Sequence, residues 1–320
     1  MTAMHTDLPA FVVPLGHDIF AVDTGFQRDH FDAAYLLPAD GRAAFIDTGT
    51  HFAVPRLVAA LDALGIARDA VDYIIPTHVH LDHAGGVGTL AAALPQATVV
   101  VHPRGARHMV DPSALWEGAT AVYGAAEMAA SYGQVTPVPA ARVLETTDGM
   151  VLALGGRDLR FADTPGHAKH HHCIWDAASR GWFTGDTFGL SYREFDTAKG
   201  AWLIPTSTPV QFEPAALRRS VERLLAEDPA CMYLTHYSRV AEVPRLGRLF
   251  LGLLDRMVAL GEALRSAPGR HAALKDGLLA VYVESLAEHG CTYDAATIAR
   301  LLALDIELNA QGMGIWLDRP

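Results

Sequence analysis

The sequence is poor in cysteine. Cys173, Cys231 and Cys291 lie far apart and form no Cys-x-x-Cys pair, so no disulfide framework is expected and a reducing cytoplasm fits. Long apolar runs are also missing. No stretch approaches the roughly 18 uninterrupted apolar residues of a membrane span, and the start, MTAMHTDLPA, lacks a basic segment followed by an apolar one. The chain is expected to be soluble, unprocessed and free of membrane partners. Positive charge is in deficit, with 25 Lys and Arg against 36 Asp and Glu and a net charge of -11. That balance argues against nucleic acid as a partner and favours a small-molecule substrate. Tandem repeats, low-complexity tracts and flexible linkers are absent as well.

What is plentiful is histidine, with 16 residues, the side chain most often used to ligate borderline transition metals. Half of the 320 residues are hydrophobic, enough for one large core with a smaller helical annex. Short apolar runs at Phe11–Pro14, Ile19–Val22, Ala33–Leu37 and Ala43–Asp47, separated by turn signals, read as an antiparallel sheet. Helical spacing follows over His51–Leu64, then an apolar strand, Val71–Ile75, runs toward His78. Helices near Gly86–Leu94 and Ala114–Ser131 precede a second set of strands: Arg142–Glu145, Met150–Leu154, Leu159–Ala162, His172–Trp175 and Trp182–Thr184. Pro214 opens a helix over Ala215–Ala226, and Cys231–Leu234 is a last strand before His236. Two strand-rich halves interleaved with helices point to two sheets packed face to face with helices outside. Residues 1–240 form that unit; 241–320 carry only helical periodicity and are expected to be a helical extension packed on it. The apolar extension also offers a face for a homodimer.

Thr77-His78-Val79-His80-Leu81-Asp82-His83-Ala84-Gly85-Gly86 places four ligand-type side chains within six residues. In extended backbone His78 and His80 would project the same way, with Asp82 and His83 turning toward a neighbouring point at the bend that follows. One loop can thus serve two metals. Further candidates follow apolar runs and turn residues: His167 in Thr-Pro-Gly-His, Asp186 in Thr-Gly-Asp-Thr and His236 in Leu-Thr-His-Tyr.

These motifs, in this order, resemble the metallo-β-lactamase superfamily over roughly residues 10–240. The resemblance implies an α/β fold, a four-layer αβ/βα sandwich, here with the C-terminal helical extension. It implies that His78, His80 and His167 bind one metal and Asp82, His83 and His236 another, with Asp186 bridging and Asp82 counted as catalytic too. Asp47 matches a family position that supports the metal loop, and His171 one that recurs four residues beyond the third ligand; both are expected to orient ligands. Two divalent ions are implied, zinc first, with iron or manganese admitted by the same ligands. Asp186 stands where common zinc β-lactamases place a cysteine, so drug hydrolysis is not expected. Glyoxalase II is similar in the metal loop and Thr-Pro-Gly-His but not in its C-terminal motifs, so the nearest likeness is to glyoxalase-II-like hydrolases of unassigned substrate.

The implied chemistry is hydrolysis of an ester, thioester or lactone by a hydroxide shared between the two metals. The rival readings are an iron-dependent persulfide dioxygenase using His78, His167 and Asp186, a phosphodiesterase or nuclease, and a non-catalytic metal scaffold. Cys173 reads as a small core residue. Tyr192, Arg193 and Tyr237 are placed to line a pocket mouth.

Overall fold

Strands in which every residue is buried cannot face water on either side, so they demand cover above and below. Phe20–Asp23 and Cys231–Leu234 are of this kind. The computed structural model describes residues 8–319 and meets the demand with two stacked sheets and helices on both outer faces.

The first half runs β1 (Val12–Pro14), β2 (Phe20–Asp23), β3 (Ala33–Ala39), β4 (Arg42–Ile46), α1 (Val54–Ala63), β5 (Val71–Ile75), α2 (Leu81–Ala84), α3 (Val87–Ala93), β6 (Thr98–Val101), α4 (Pro103–Val110), α5 (Ser113–Tyr123), α6 (Ala125–Glu127) and β7 (Val143–Glu145). Its seven strands pair in chain order. β1 to β4 are antiparallel, each joined to the next by a direct reversal without a crossover; β4 to β7 are parallel because each connection crosses through helices. The second sheet holds β8 (Val151–Leu154), β9 (Arg157–Asp163), β10 (His172–Asp176), β11 (Gly181–Gly185), β12 (Cys231–Leu234) and β13 (Ser238–Val240), in the order β13-β12-β11-β10-β9-β8. Only β11 and β12 are parallel, and helix α7 (Pro214–Leu225) makes that crossover. Four helices follow: α8 (Val243–Leu264), α9 (Arg270–His289), α10 (Ala295–Leu301) and α11 (Ala303–Leu317).

Alternation along each strand assigns its residues to different layers. Tyr35 and Leu37 of β3 meet Phe183 and Tyr233 between the sheets, with Phe183 stacked on Tyr233 at 4.6 Å. Ala34 and Leu36 face Leu57, Leu61 and Leu90 on the outside of the first sheet. Met232 and Leu234 of β12 share an outer core with Val221 of α7 and with Leu246, Phe250 and Leu253 of α8. The C-terminal helices are thus continuous with the core of the second sheet. The helix expected over Ala114–Ser131 is interrupted at Gly124, whose φ of 84° and ψ of 153° leave the helical region; α6 and a π-helical turn at Met128–Tyr132 continue beyond it. Among the described residues, no helix is long and apolar enough to cross a membrane.

The topology also aims the chain. β9 and β11 are both antiparallel to β10, so their carboxyl ends and that of β12 open on one edge, together with the start of β10. The carboxyl ends of β4 and β5 meet that edge: Ala33 N–H donates to Thr235 O at 2.9 Å and His172 N–H to Thr77 O at 3.0 Å.

Candidate metal centre

Five loops leave that shared edge, and each brings a ligand-type side chain or its support. β5 stops at Ile75, before Pro76, which has no N–H to offer a ladder. Residues 77–80 consequently form a bend rather than the extended strand end expected from the sequence, and Asp82 and His83 sit on the single turn of α2. His80 then presents Nδ1, where His78 presents Nε2. Gly166 (φ 140°) turns the chain into His167 where an added Cβ would collide with the Leu217 backbone of α7. Gly166→Ala is therefore expected to lower stability by about 2–3 kcal/mol and to displace His167. Denaturant unfolding checks the first effect and metal stoichiometry the second. Gly185 (φ 46°) precedes Asp186 for a similar reason: a Cβ there would lie 2.5 Å from Thr77 Oγ1 and 2.7 Å from His171 Nε2.

The side chains converge in three overlapping groups, His78–His80–His167, His78–His83–Asp186 and Asp82–His83–His236, each with its ligand atoms within 4.8 Å of one another. His80 Nδ1 lies 2.8 Å from His78 Nε2 and 3.0 Å from His167 Nε2. Asp186 spans the groups, with Oδ2 at 3.5 Å from His167 Nε2 and Oδ1 at 3.3 Å from His83 Nε2 and 3.8 Å from His236 Nε2. Asp82 Oδ2 lies 3.4 Å from His236 Nε2 and 3.8 Å from His83 Nε2. Every residue expected as a ligand is in this cluster.

The outer ring nitrogens decide which atoms face inward. His236 Nδ1 lies 2.9 Å from the Phe31 carbonyl, which can only accept, so Nδ1 carries a proton and Nε2 is the nitrogen turned to the cluster. His83 Nδ1 donates in the same way to Asp47 Oδ2 at 2.8 Å. Asp47 also accepts the Thr77 N–H at 2.6 Å, the Thr77 hydroxyl at 3.0 Å and the Thr235 hydroxyl at 2.6 Å, which fills its acceptor capacity. With its own proton committed to Asp47, Thr77 Oγ1 can accept from His78 Nδ1 at 3.2 Å. One buried carboxylate thereby orients a ligand-type imidazole in each half of the cluster. His171 acts on the third element. Its Nε2 accepts the Asp186 N–H at 3.3 Å, Nδ1 meets Thr164 Oγ1 at 3.0 Å, and its ring stacks on His78 at 4.7 Å.

Electrostatics divide the cluster. Burial, reinforced by neighbouring imidazoles, pushes His78 well below its usual range and His80 down to about 3, so both are neutral with lone pairs free. Burial also lowers His167. On the other side burial opposes ionisation of Asp186, yet the charge of His83, with that of His236 behind it, holds it well below the carboxylate range. Burial likewise works against charging His236, but the Asp82 hydrogen bond and the Asp186 charge raise it to about 9. The carboxylate side calls for positive charge. Buried His83 Nε2 and Asp186 Oδ1 have no hydrogen-bond partner among the described residues although they lie 3.3 Å apart. Both are left for a partner that the described residues do not supply, and the donor set of imidazole nitrogens and carboxylate oxygens gathered there fits a divalent transition metal.

The sequence matches the profile of the metallo-beta-lactamase superfamily over residues 28–236, a span that contains all these side chains. The chain belongs to that superfamily. Relatives of this metallo-β-lactamase-fold chain differ in what their names describe. The type A flavoprotein fprA of Rhodobacter capsulatus is 30% identical over 197 residues, 58% of this chain and 40% of that protein. The metallo-beta-lactamase fold-containing protein ST1585 of Sulfurisphaera tokodaii is 29% identical over 161 residues, 48% of this chain and 57% of its own length. The crystal structure of ST1585 from Sulfolobus tokodaii superposes with a TM-score of 0.63 at 22% identity, covering 92% of this chain and 97% of that one, which shows the fold. An atrochrysone carboxyl ACP thioesterase of Aspergillus fumigatus is 29% identical over 154 residues, 48% of this chain and 38% of the thioesterase. The chain thus spans 40% and 57% of the first two curated relatives.

Beside the superfamily motifs lies a cavity of about 40 Å³, walled by His80, Asp82, Asp186 and His236 on one side and by Phe26, Phe31, Tyr123, Tyr132 and Tyr192 among others. A larger one of about 340 Å³ shares His80, Asp82, Tyr123 and Tyr132 and continues along α5. Tyr192 lines the smaller cavity, as the sequence placed it. Arg193 does not: its guanidinium folds back on Ser191 O at 3.1 Å and pairs with Asp196 at 3.5 Å. His170 precedes β10 rather than lying in it and accepts the Val79 N–H at 3.4 Å. Cys173 is buried, and burial pushes its thiol up to about 12, so no thiolate is available. Asp32 was not singled out from the sequence. Wholly buried behind His236, it is raised by that burial to about 8.

Proposed function

We propose that the chain is a dinuclear metal-dependent hydrolase of an ester, thioester or lactone. His78, His80 and His167 would hold one divalent ion and Asp82, His83 and His236 the other, with Asp186 between them. Such ions, zinc being the first expectation, lower the pKa of a bound water from about 15.7 to about 7 and so make hydroxide available near neutral pH. The observation that carries the reading is the pair of complete ligand groups joined by one carboxylate, with the Nε2 atoms of His83 and His236 turned inward by acceptors behind Nδ1.

The chain's residues supply the remainder. Burial opposes ionisation of Asp82, but His83 and the His236 bond lower it to about 2, so it remains a carboxylate at the cavity face, able to accept a proton or hydrogen bond from an attacking water. Phe26, Phe31 and Tyr132 exclude bulk water from the small cavity, which strengthens every electrostatic contact inside it. The larger cavity, lined along α5 by Leu115, Ala119 and Val122, suits the apolar body of a small acyl substrate. No protein nucleophile is required. A thioesterase among the relatives agrees with acyl chemistry.

Protein purified without added metal or chelator is expected to carry two divalent equivalents by elemental mass spectrometry and to cleave members of a thioester, ester and lactone panel. Chelation should abolish the turnover and zinc should restore it. A single iron with oxygen uptake on a persulfide would replace the hydrolase by the dioxygenase reading, and a metal-free, inactive protein would remove both.

A further inference from the structure

The metal-ligand side chains form one wall of the small cavity. Another comes from the C-terminal helices, and it contains a carboxylate with no part in the metal cluster. Asp305, in the first turn of α11, is buried and lines the cavity together with Leu304 and Leu308. Its Oδ1 accepts the Tyr192 hydroxyl at 2.9 Å, while Oδ2 finds no hydrogen-bond partner among the described residues. A buried carboxylate oxygen left without a donor is costly, and such a group in a cavity wall is poised to be satisfied by what enters. Arg28, above the Tyr192 ring at 4.7 Å, pairs with Glu194 at 2.8 Å; its charge favours the ionised carboxyl, but it makes no hydrogen bond to Oδ2.

The placement is held rigidly. One turn along α11, Asn309 Oδ1 accepts the Ser207 N–H at 2.6 Å, and its Nδ2 donates to Tyr282 Oη at 2.9 Å and Pro205 O at 3.3 Å. Two turns along, Gly312 lies so close to the Ser207 carbonyl that a Cβ would collide with it. The 205–208 segment clamped by these contacts brings Thr206 and Thr208 to the same cavity. Burial raises the Asp305 carboxyl to about 6, partly offset by the Tyr192 bond, so it is mainly ionised at pH 7.

We propose that Asp305 is a specificity residue, accepting a hydrogen bond from a hydroxyl or ammonium group that the substrate carries near the carbonyl to be cleaved. The proposal deepens the hydrolase reading and rests on it for the reaction, though not for binding. No bond is made or broken at Asp305; it orients the substrate and rejects one that would leave its oxygen dry.

The test uses the full metal-loaded chain and three thioesters of one thiol, butyryl, β-hydroxybutyryl and β-aminobutyryl. Calorimetric binding of the three corresponding acids gives a second readout without turnover. At least one β-substituted member is expected to be favoured by about tenfold or more, in kcat/KM and in acid affinity, the size of one hydrogen bond to a charged group. The favoured member tells hydroxyl from ammonium. Asp305→Ala should erase the preference, and the isosteric Asp305→Asn should erase any preference for ammonium. Tyr192→Phe, which leaves the carboxylate in place, should keep it. A preference that survives Asp305→Ala, or that falls equally in Asp305→Ala and Tyr192→Phe, overturns the proposal, because the second pattern is that of a merely structural pair. Cleavage without preference also overturns it and leaves the hydrolase standing. Preferential binding of the acids with no thioester cleaved does the reverse.

Discussion

Asp186→Asn is expected to cost the chain one metal equivalent or more and to lower turnover on the order of 10³-fold. Among the described residues Asp186 alone offers one carboxylate oxygen to the His167 side and the other to the His83 and His236 side. Asparagine has the same size, so packing around β11 should be kept, but one of its two oxygens becomes an amide nitrogen that can only donate. Either that end turns toward His167 or it turns toward His83, so one side loses its oxygen donor and the other keeps only a neutral one. Elemental analysis beside single-turnover rates reads both effects, and an unchanged circular dichroism spectrum separates them from misfolding. A variant that retained two metal equivalents and the parental rate would show that Asp186 does not bridge.

Asp47→Ala should be the most destabilising single change near the cluster, by about 3–5 kcal/mol. The carboxylate is wholly buried and accepts from Thr77 N–H, Thr77 Oγ1, Thr235 Oγ1 and His83 Nδ1. Alanine leaves those donors without an acceptor in a site too tight for the chain to relax, and it must also adopt the left-handed φ of 55°. Metal affinity should fall a further 10- to 100-fold or so, because His83 loses the acceptor that fixes its tautomer and Thr77 its tie to the cluster. Asp47→Asn, which tolerates the φ and keeps one acceptor, should lie between. Urea unfolding of the metal-stripped proteins isolates the structural part, and titration of each with zinc the other; a loss under about 1 kcal/mol in the stripped protein would mean that the network is not what holds the loop.

Much of the candidate site was legible because its signal is local. The His78–His83 segment packs four ligand-type side chains into one loop, and His167, Asp186 and His236 each follow a short apolar strand and a turn residue. Alternating burial is local as well, which is why strands such as Cys231–Leu234 fall where hydropathy places them. The geometry of the motif is not local. Pro76 ends β5 early, so His78 and His80 meet through a bend and through different ring nitrogens, where a continued strand would have aligned them.

By itself, then, the sequence determined the inventory of ligand-type residues, its order and the layered fold, since composition and periodicity are written along the chain. Tertiary structure decided everything that depends on residues distant in sequence. His83 owes its tautomer to a carboxylate 36 positions earlier, and that carboxylate is held in turn by Thr235, 188 positions later. Asp305, Asn309 and Gly312 recur at helical spacing on the buried side of α11, where periodicity promises only apolar packing. Only the docking of α11 on the 205–208 segment shows why a carboxylate, an amide and a glycine stand there: one faces the cavity, one clamps the loop and one lets the two backbones touch. Hydrogen-bond satisfaction and close approach are properties of the folded pair of segments, and neither segment carries them alone.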